Sequence, residues 1–397
     1  MNYLICKLRK CHTANFFDMK HKKALIAANF IGFFHFLWDD IDMLNEMGYE
    51  VYAMGDNEKN EQHTLKMMAD KGVTFIDAKI DAKSPLTRNN LDYYKKVKAL
   101  LEKHHFDLVH CHTPIVGLFV RLAARKYRKR GTKVIYTTHG LAYTHLSSRK
   151  EYFVYHSIES LASWFCDAII TINMEDYESA KRLHCKSVFH INGVGVDTKR
   201  FGSADIDRDE YRKQLGVPKN KLMVLAIGEL SRRKNHTVIV EALAKLDNKA
   251  DFVFAICGRE MTAGGTGDEI RRMSREYGVD TLFLGFRRDI PEVIKCADIG
   301  VMPSVREGLG LSGIEMLSEG VPLVGSDVQG IREYVIGDKT GYLCNPNDAD
   351  AFAEGLRRLA DAETRNRMRP HCKDIVKQFD ISVSVKQRRE IYNKVLK

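Results

Sequence analysis

The chain predicts an α/β fold: two Rossmann-like, doubly wound parallel-sheet domains facing a cleft. Three observations carry this. Its 397 residues exceed one ordinary domain and suit two of about 180. Short apolar runs alternate with amphipathic stretches throughout, as parallel strands covered by helices on both faces require. The alternation halts once, in the polar, Gly- and Asp-rich stretch 193–209, and then restarts.

In chain order, the first half offers strands at 24–30, 51–54, 73–76, 108–111, 134–138, 168–172 and 188–191. Helices between them include 36–47, 89–104, 115–130 and 151–165. The second half offers strands at 222–227, 252–257, 282–284, 299–302 and 323–326, with helices at 237–246, 269–277 and 350–359. The division is a basic extension at 1–22, an N-terminal Rossmann-like domain over 23–200 and a C-terminal Rossmann-like domain over 201–378. A last polar helix over 379–397 is expected to pack back on the N-terminal domain.

Net charge is +10, and residues 1–200 hold 30 Lys and Arg against 22 Asp and Glu, so the first half carries most of the excess. Such a surface suits nucleic acid, an anionic membrane face or a phosphate-bearing substrate. Arg121, Arg125, Lys126, Arg128, Lys129, Arg130 and Lys133 gather at the end of one expected helix. Cations are favourable there in any case; we read the run as facing anionic lipid head groups. Nine cysteines without a Cys-x-x-Cys pair speak for a reducing compartment, and against a disulfide framework or structural zinc. The most apolar window, 24–38, is too short to span a bilayer and no small-residue cleavage site follows it. A cytoplasmic chain, at most peripheral on the inner membrane face, is expected.

Ligands of doubly wound sheets bind outside the carboxyl ends of strands, so residues just after strands carry the functional reading. The strand 299–302 leads into Pro303-Ser-Val-Arg-Glu307-Gly308-Leu309-Gly310-Leu311 and a helix bearing Glu315. Two glycines let a ligand approach the backbone, and a helix start offers free N–H groups to phosphate. The flanking carboxylates are natural acceptors for sugar hydroxyls. Alone, Ser312-x-x-Glu315 reads equally as a capping box and Glu307 as a solvated loop charge. A second strand end tips the balance. Strand 222–227 leads through Gly228 and Glu229 to Arg232, Arg233 and Lys234. That is a tight turn followed by cations able to hold phosphate and to offset charge on a phosphoryl leaving group.

With these residues in view, the second half resembles the retaining glycosyltransferases of the family-four group, which have the GT-B fold. Pro303-Ser-x-x-Glu-Gly-x-Gly-Leu and Glu315, with Met316-Leu-Ser-Glu-Gly-Val-Pro-Leu-Val after them, are similar to that family's Glu-x7-Glu signature. Gly330-Ile-Arg-Glu and Gly341-Tyr-Leu also fit. The resemblance covers the C-terminal domain, and the N-terminal one in outline. It implies Glu307 on the donor sugar's hydroxyls and Glu315 on the ribose. The amides of Gly308, Leu309, Gly310 and Leu311 and the side chain of Lys234 would hold the diphosphate. Phe286 and Arg287 would stand in the turn that reads the nucleobase. Where the family often has Arg after the phosphate-turn glycine, this chain has Glu229, so a supporting cation is expected from Arg232 or, by preference, Arg233. The resemblance also implies His139, in Thr137-Thr-His-Gly140, near the reacting sugar; as chemistry alone, a His after a strand is equally a packing residue. The loop 29–35 would lie by the donor phosphate or the acceptor. Gly32 keeps the expected freedom there, while Phe33 and Phe34 are bulkier than usual and read as shaping an acceptor or membrane-facing surface, or as core. His112 is assigned to the same acceptor side.

The implied reaction is transfer of a hexose from a UDP-, GDP- or ADP-sugar to a hydroxyl of a lipid-linked or glycan acceptor. Configuration would be retained, without metal or cofactor, in exopolysaccharide, capsule or lipopolysaccharide-type assembly. His110-Cys111-His112 lacks a fourth metal ligand by spacing. The pairs Asp40/Asp42, Asp205/Asp207, Asp207/Asp209 and Asp348/Asp350 read as solvated caps. The glycines from Gly258 to Gly267 lack a P-loop ending. A GT-B epimerase or phosphorylase-like enzyme is the competing enzyme reading. A basic nucleic-acid binder is the non-enzymatic one, and no basic-aromatic module supports it.

Overall fold

The computed structural model describes residues 22–82, 84, 86–260 and 265–397, so the expected basic extension lies, but for Lys22, outside the described residues. The first seven strands are β1 (Lys22–Phe30), β2 (Tyr49–Asp56), β3 (Thr74–Asp77), β4 (Leu108–His112), β5 (Lys133–Thr137), β6 (Ala168–Thr171) and β7 (Val188–His190). They form one parallel sheet in the order β3-β2-β1-β4-β5-β6-β7. The second sheet holds β8 (Leu222–Ile227), β9 (Phe252–Cys257), β10 (Thr281–Gly285), β11 (Ile299–Met302), β12 (Leu323–Ser326) and β13 (Gly341–Cys344). Its order is β10-β9-β8-β11-β12-β13, again parallel. Central strands are buried on both faces, as in the run Ala24 to Ala28, and this is why they read as unbroken apolar stretches. In each sheet the order reverses once, at β1/β4 and at β8/β11, and ligands of such sheets settle at these crevices.

Four strands of the second half have the bounds expected of them, whereas β13 was not anticipated. It is a four-residue edge strand with Tyr342 and Leu343 partly exposed, and so has no continuous apolar run. The expected helix 115–130 is shorter: Pro114–Ala124 ends first, and Arg128–Arg130 form a 3-10 turn closed by Gly131 in the left-handed region. Arg121 therefore leaves the basic surface run. It is buried in the core, ion-paired to Glu159 at 2.9 Å, with its guanidinium 4.0 Å over the Tyr136 ring. Asp40 is no solvated cap either; it is buried, with Tyr392 Oη donating to it at 3.0 Å. Asp207 and Asp348 do cap helices.

The chain passes between the domains twice, side by side. Val196 N–H donates to Phe379 O at 2.9 Å and Ile381 N–H to Val196 O at 3.0 Å. The closing helix, Ile381–Val395, then lies on the N-terminal helix Trp38–Glu46, with Arg389 paired to Glu46 at 2.6 Å. Among the described residues, no helix is long and apolar enough to cross a membrane.

Candidate active site

Gly228, just past β8, leaves room for the stem of Lys234: a Cβ there would stand 3.1 Å from Lys234 Cε. The turn brings the Lys234 and Arg233 side chains onto the segment that follows β11. Lys234 Nζ donates to Glu307 Oε2 at 2.6 Å, and Arg233 and the Ser304 hydroxyl reach the same oxygen at 3.1 and 3.2 Å. Arg233 also donates to Glu229 Oε1 at 3.1 Å, so the unusual Glu229 helps aim it. Val305 N–H donates to Arg233 O at 2.9 Å, stitching the two loops together. Burial opposes ionisation of Glu307, yet the charges of Lys234 and Arg233 hold its carboxyl below the ordinary range. Arg232 is exposed and makes none of these contacts.

After Glu307, Gly310 turns the chain at φ 78° and the helix Leu311–Ser318 begins. The competing reading of Ser312-x-x-Glu315 as a capping box does not hold; Ser312 Oγ donates to Ile227 O at 3.2 Å instead. The first N–H groups of this helix are thus not occupied by a side-chain cap. Tyr334 Oη donates to Gly310 O at 3.0 Å and sits where a side chain at Gly313 would be. Glu315, among the described residues, has no hydrogen-bond or ion-pair partner, and burial raises its carboxyl to about 7 against the weaker pull of Arg200 and Lys234. Gly258 N–H donates to Gly285 O and Gly228 N–H to Cys257 O, both at 2.9 Å, so the ends of β8, β9 and β10 adjoin. The turn bearing Phe286 is thus two strands, about 10 Å, from Gly228. Phe286 is exposed under Arg259, whose guanidinium lies 4.9 Å from its ring, while the Arg287 side chain is committed to Asp289 and Tyr211.

The opposite wall is N-terminal. His139 follows β5, and its Nε2 lies 3.1 Å from His112 Nδ1. The Phe33 ring meets His139 edge-on at 4.8 Å, while Phe34 is core. Gly32 and Phe33 lie in the 3-10 turn Ile31–Phe36 after β1. Burial, helped by the charge of Arg388, lowers His139 to about 3 and holds His112 well below its usual value. Both rings are therefore neutral hydrogen-bonding groups at pH 7. His110 does not serve the site directly; it bridges Tyr392 Oη and Thr137 Oγ1, each at 2.8 Å.

The two walls touch at the glycine loop. A Cβ on Gly308 would collide with the carbonyl of His139, and one on Gly330 with Gly308 itself. Asn173 Nδ2 donates to Gly308 O at 2.8 Å. Behind it, Asp176 accepts from Leu141 N–H, Asn173 and Gln329 at 2.9, 3.0 and 3.1 Å, and burial raises its carboxyl to about 6 despite those donors. Ser304, Asn173, Asp176, Gln329 and Tyr334 were not anticipated. Asn173 follows β6, so the strand-end rule applied to that strand points to it.

Residues 207–374 match the family described as glycosyl transferases group 1, and residues 36–200 match the one described as glycosyltransferase family 4. EpsD of Bacillus subtilis, a protein named as a glycosyltransferase, is 31% identical over 322 residues, 79% of this chain and 81% of that one. An Escherichia coli UDP-Gal:alpha-D-GlcNAc-diphosphoundecaprenol alpha-1,3-galactosyltransferase is 29% identical over 356 residues, 84% of this chain and 89% of its own. The structure of HepE from Anabaena in complex with UDP-glucose superposes with a TM-score of 0.75 at 18% identity, covering 94% of this chain and all of HepE, so the fold is shared. Two faced parallel sheets, a glycine loop between paired glutamates and these matches over both halves lead to one assignment: the chain belongs to the group 1 glycosyltransferases.

Proposed function

We propose that this glycosyltransferase moves a hexose from a UDP-sugar to a hydroxyl of a lipid-linked glycan, with retention and without a metal, during assembly of a surface polysaccharide. One observation carries the reading: Glu307 is held ionised by Lys234 and Arg233 beside a glycine loop that abuts His139 of the other domain. A bound diphosphate competes for those cations and for the N–H groups at the uncapped start of the helix Leu311–Ser318. Glu307 is then released to accept from sugar hydroxyls, and the cations offset the charge of the departing diphosphate. Neutral His139 hydrogen-bonds across the sugar without placing a positive charge beside the electron-poor anomeric carbon. Asp176, the carboxylate behind that turn, is committed to three donors. This supports a same-face step in which a leaving-phosphate oxygen takes the acceptor's proton. The E. coli relative's name supplies UDP-Gal and a diphosphoundecaprenol-linked GlcNAc as models of donor and acceptor, and HepE binds UDP-glucose. On this reading, transfer occurs at the inner face of the cell membrane, where a lipid-linked acceptor is held.

Thermal shifts against UDP-, GDP- and ADP-sugars should show stabilisation by the UDP-sugars alone. Lys234→Ala and Glu307→Ala should fold and lose about a hundredfold or more in transfer rate, the range seen when a group stabilising developing charge is removed. Full turnover by both variants sinks the assignment. Release of an isomerised nucleotide sugar without an acceptor product would mark an epimerase instead.

A further inference from the structure

The helix Arg149–Ser163 has its polarity reversed. Its core side carries Glu159, buried and paired to Arg121, with Ala162 and Ser163. Its outer side carries Lys150, Phe153, Ser157, Leu161 and, one residue past the end, Trp164, at spacings of three and four that set them on one stripe. Phe153 is 72% exposed, and Leu161 and Trp164 58% each. A surface helix ordinarily turns its apolar stripe inward; this one presents rings and aliphatic groups to the outside and a carboxylate to the core. Helix stability does not account for that. Aromatic residues are middling helix formers, and Arg149 and Lys150 stand where the helix dipole disfavours cations.

Cations flank the stripe at both ends. Arg149 and Lys150 open the helix. At its close, Arg128 donates to Trp164 O at 2.8 Å, so the turn Arg128–Arg130 brings up Lys129 and Arg130. Those four side chains are exposed and have no ion pair among the described residues. A two-fold pairing of this stripe with a second copy would set basic end against basic end, which repels. Rings and aliphatic groups between unpaired cations instead match the boundary of an anionic bilayer, with apolar groups at the acyl edge and cations on lipid phosphates. The helix also starts at the cleft mouth: the Tyr152 ring meets Tyr143 at 5.1 Å, and Arg306 of the glycine-loop segment donates to Ala142 O at 3.2 Å.

The geometry points to the stripe Lys150–Phe153–Leu161–Trp164 as the surface that seats this protein on an anionic bilayer, holding the cleft mouth over the lipid head groups. This rests on the lipid-linked acceptor proposed above and names the element that reaches it. Flotation of the full chain with phosphatidylcholine vesicles, and with vesicles holding roughly one quarter phosphatidylglycerol, should show binding to the second, weakened by salt. The pair Phe153→Ser/Trp164→Ser, and separately Lys150→Glu, should each cut the bound fraction about tenfold or more, with the melting temperature and the UDP-sugar thermal shift unchanged. Undiminished vesicle binding by the serine pair overturns the inference. So does a serine pair that converts a dimer to a monomer while still floating with vesicles. Loss of the UDP-sugar shift in the wild type, with vesicle binding intact, would strike the transfer reading and leave the membrane surface standing.

Discussion

Glu307 and Glu315 share one side chain and stand in opposite electrostatic settings. Glu307 is charged because two cations meet it; Glu315 is half-buried with no hydrogen-bond or ion-pair partner among the described residues, and desolvation raises it to about 7. If Glu315 meets the donor's ribose, as the family resemblance implies, its protonation leaves the hydroxyls a poorer acceptor, and donor affinity should rise with pH through about 7. Apparent KM for the donor should fall roughly tenfold from about pH 6 to 8, following the ionised fraction, and Glu315→Gln should flatten that profile. Stability runs the other way. A carboxyl raised from 4.5 to about 7 contributes a stability loss that grows as pH rises between those values. Above pH 7, Glu315→Gln should therefore resist urea better than the wild type, by on the order of 2 kcal/mol. A steep KM profile surviving in Glu315→Gln would remove Glu315 from the ribose. The two glutamates were legible as a spaced pair around glycines. Their contrasting electrostatic settings were not, because Lys234 and Arg233 reach Glu307 through a loop some seventy positions away.

The decisive element is the loop between β11 and the helix Leu311–Ser318, and its glycines act by what they leave empty. Gly308 has no room for a methyl against His139, so Gly308→Ala should push the domains apart at the site. We expect a loss of about 2 kcal/mol in urea unfolding and near-complete loss of transfer. Gly337→Ala, where nothing lies within 4 Å, should change neither and serves as the control. Strands such as β8, β9, β11 and β12 were readable because burial on both faces leaves an unbroken apolar run. The edge strand β13 escaped because its exposed side breaks that run. The helix ending at Ala124 was overextended because the cations after it suit a helix terminus as well as a turn. Arg121 shows the limit of charge counting: only the fold reveals that Glu159 and Tyr136 enclose it. The contacts of Asn173, Asp176 and Gln329 were equally hidden, since they exist only once two distant halves have met.

Across the whole molecule, the closing helix straps the domains together. After the second crossing it returns to the N-terminal domain, where Tyr392 joins His110 to Asp40 and Arg388 Nε stands 3.3 Å from Asp40 Oδ2. Asp40 and Arg388 are both buried, and burial keeps the Asp40 carboxyl above its usual range although Arg388 and Tyr392 pull it down. Arg388→Met would leave that carboxylate without its counter-charge, a change that costs about 3–5 kcal/mol in buried pairs. The sign of its pH dependence follows. A carboxyl raised in the folded state loses stability as pH climbs through its folded value, and removing Arg388 raises it further. The deficit of Arg388→Met should thus be larger at pH 8 than at pH 5, and a second change, Asp40→Asn, should restore part of it at pH 8. Urea unfolding of the four proteins at both values measures this as a double-mutant cycle. An equal deficit at both pH values would mean that Arg388 holds the strap through its bonds to Ser384 Oγ at 2.6 Å and Val194 O at 3.1 Å. The charge of Asp40 would then play no part in joining the two halves of the site.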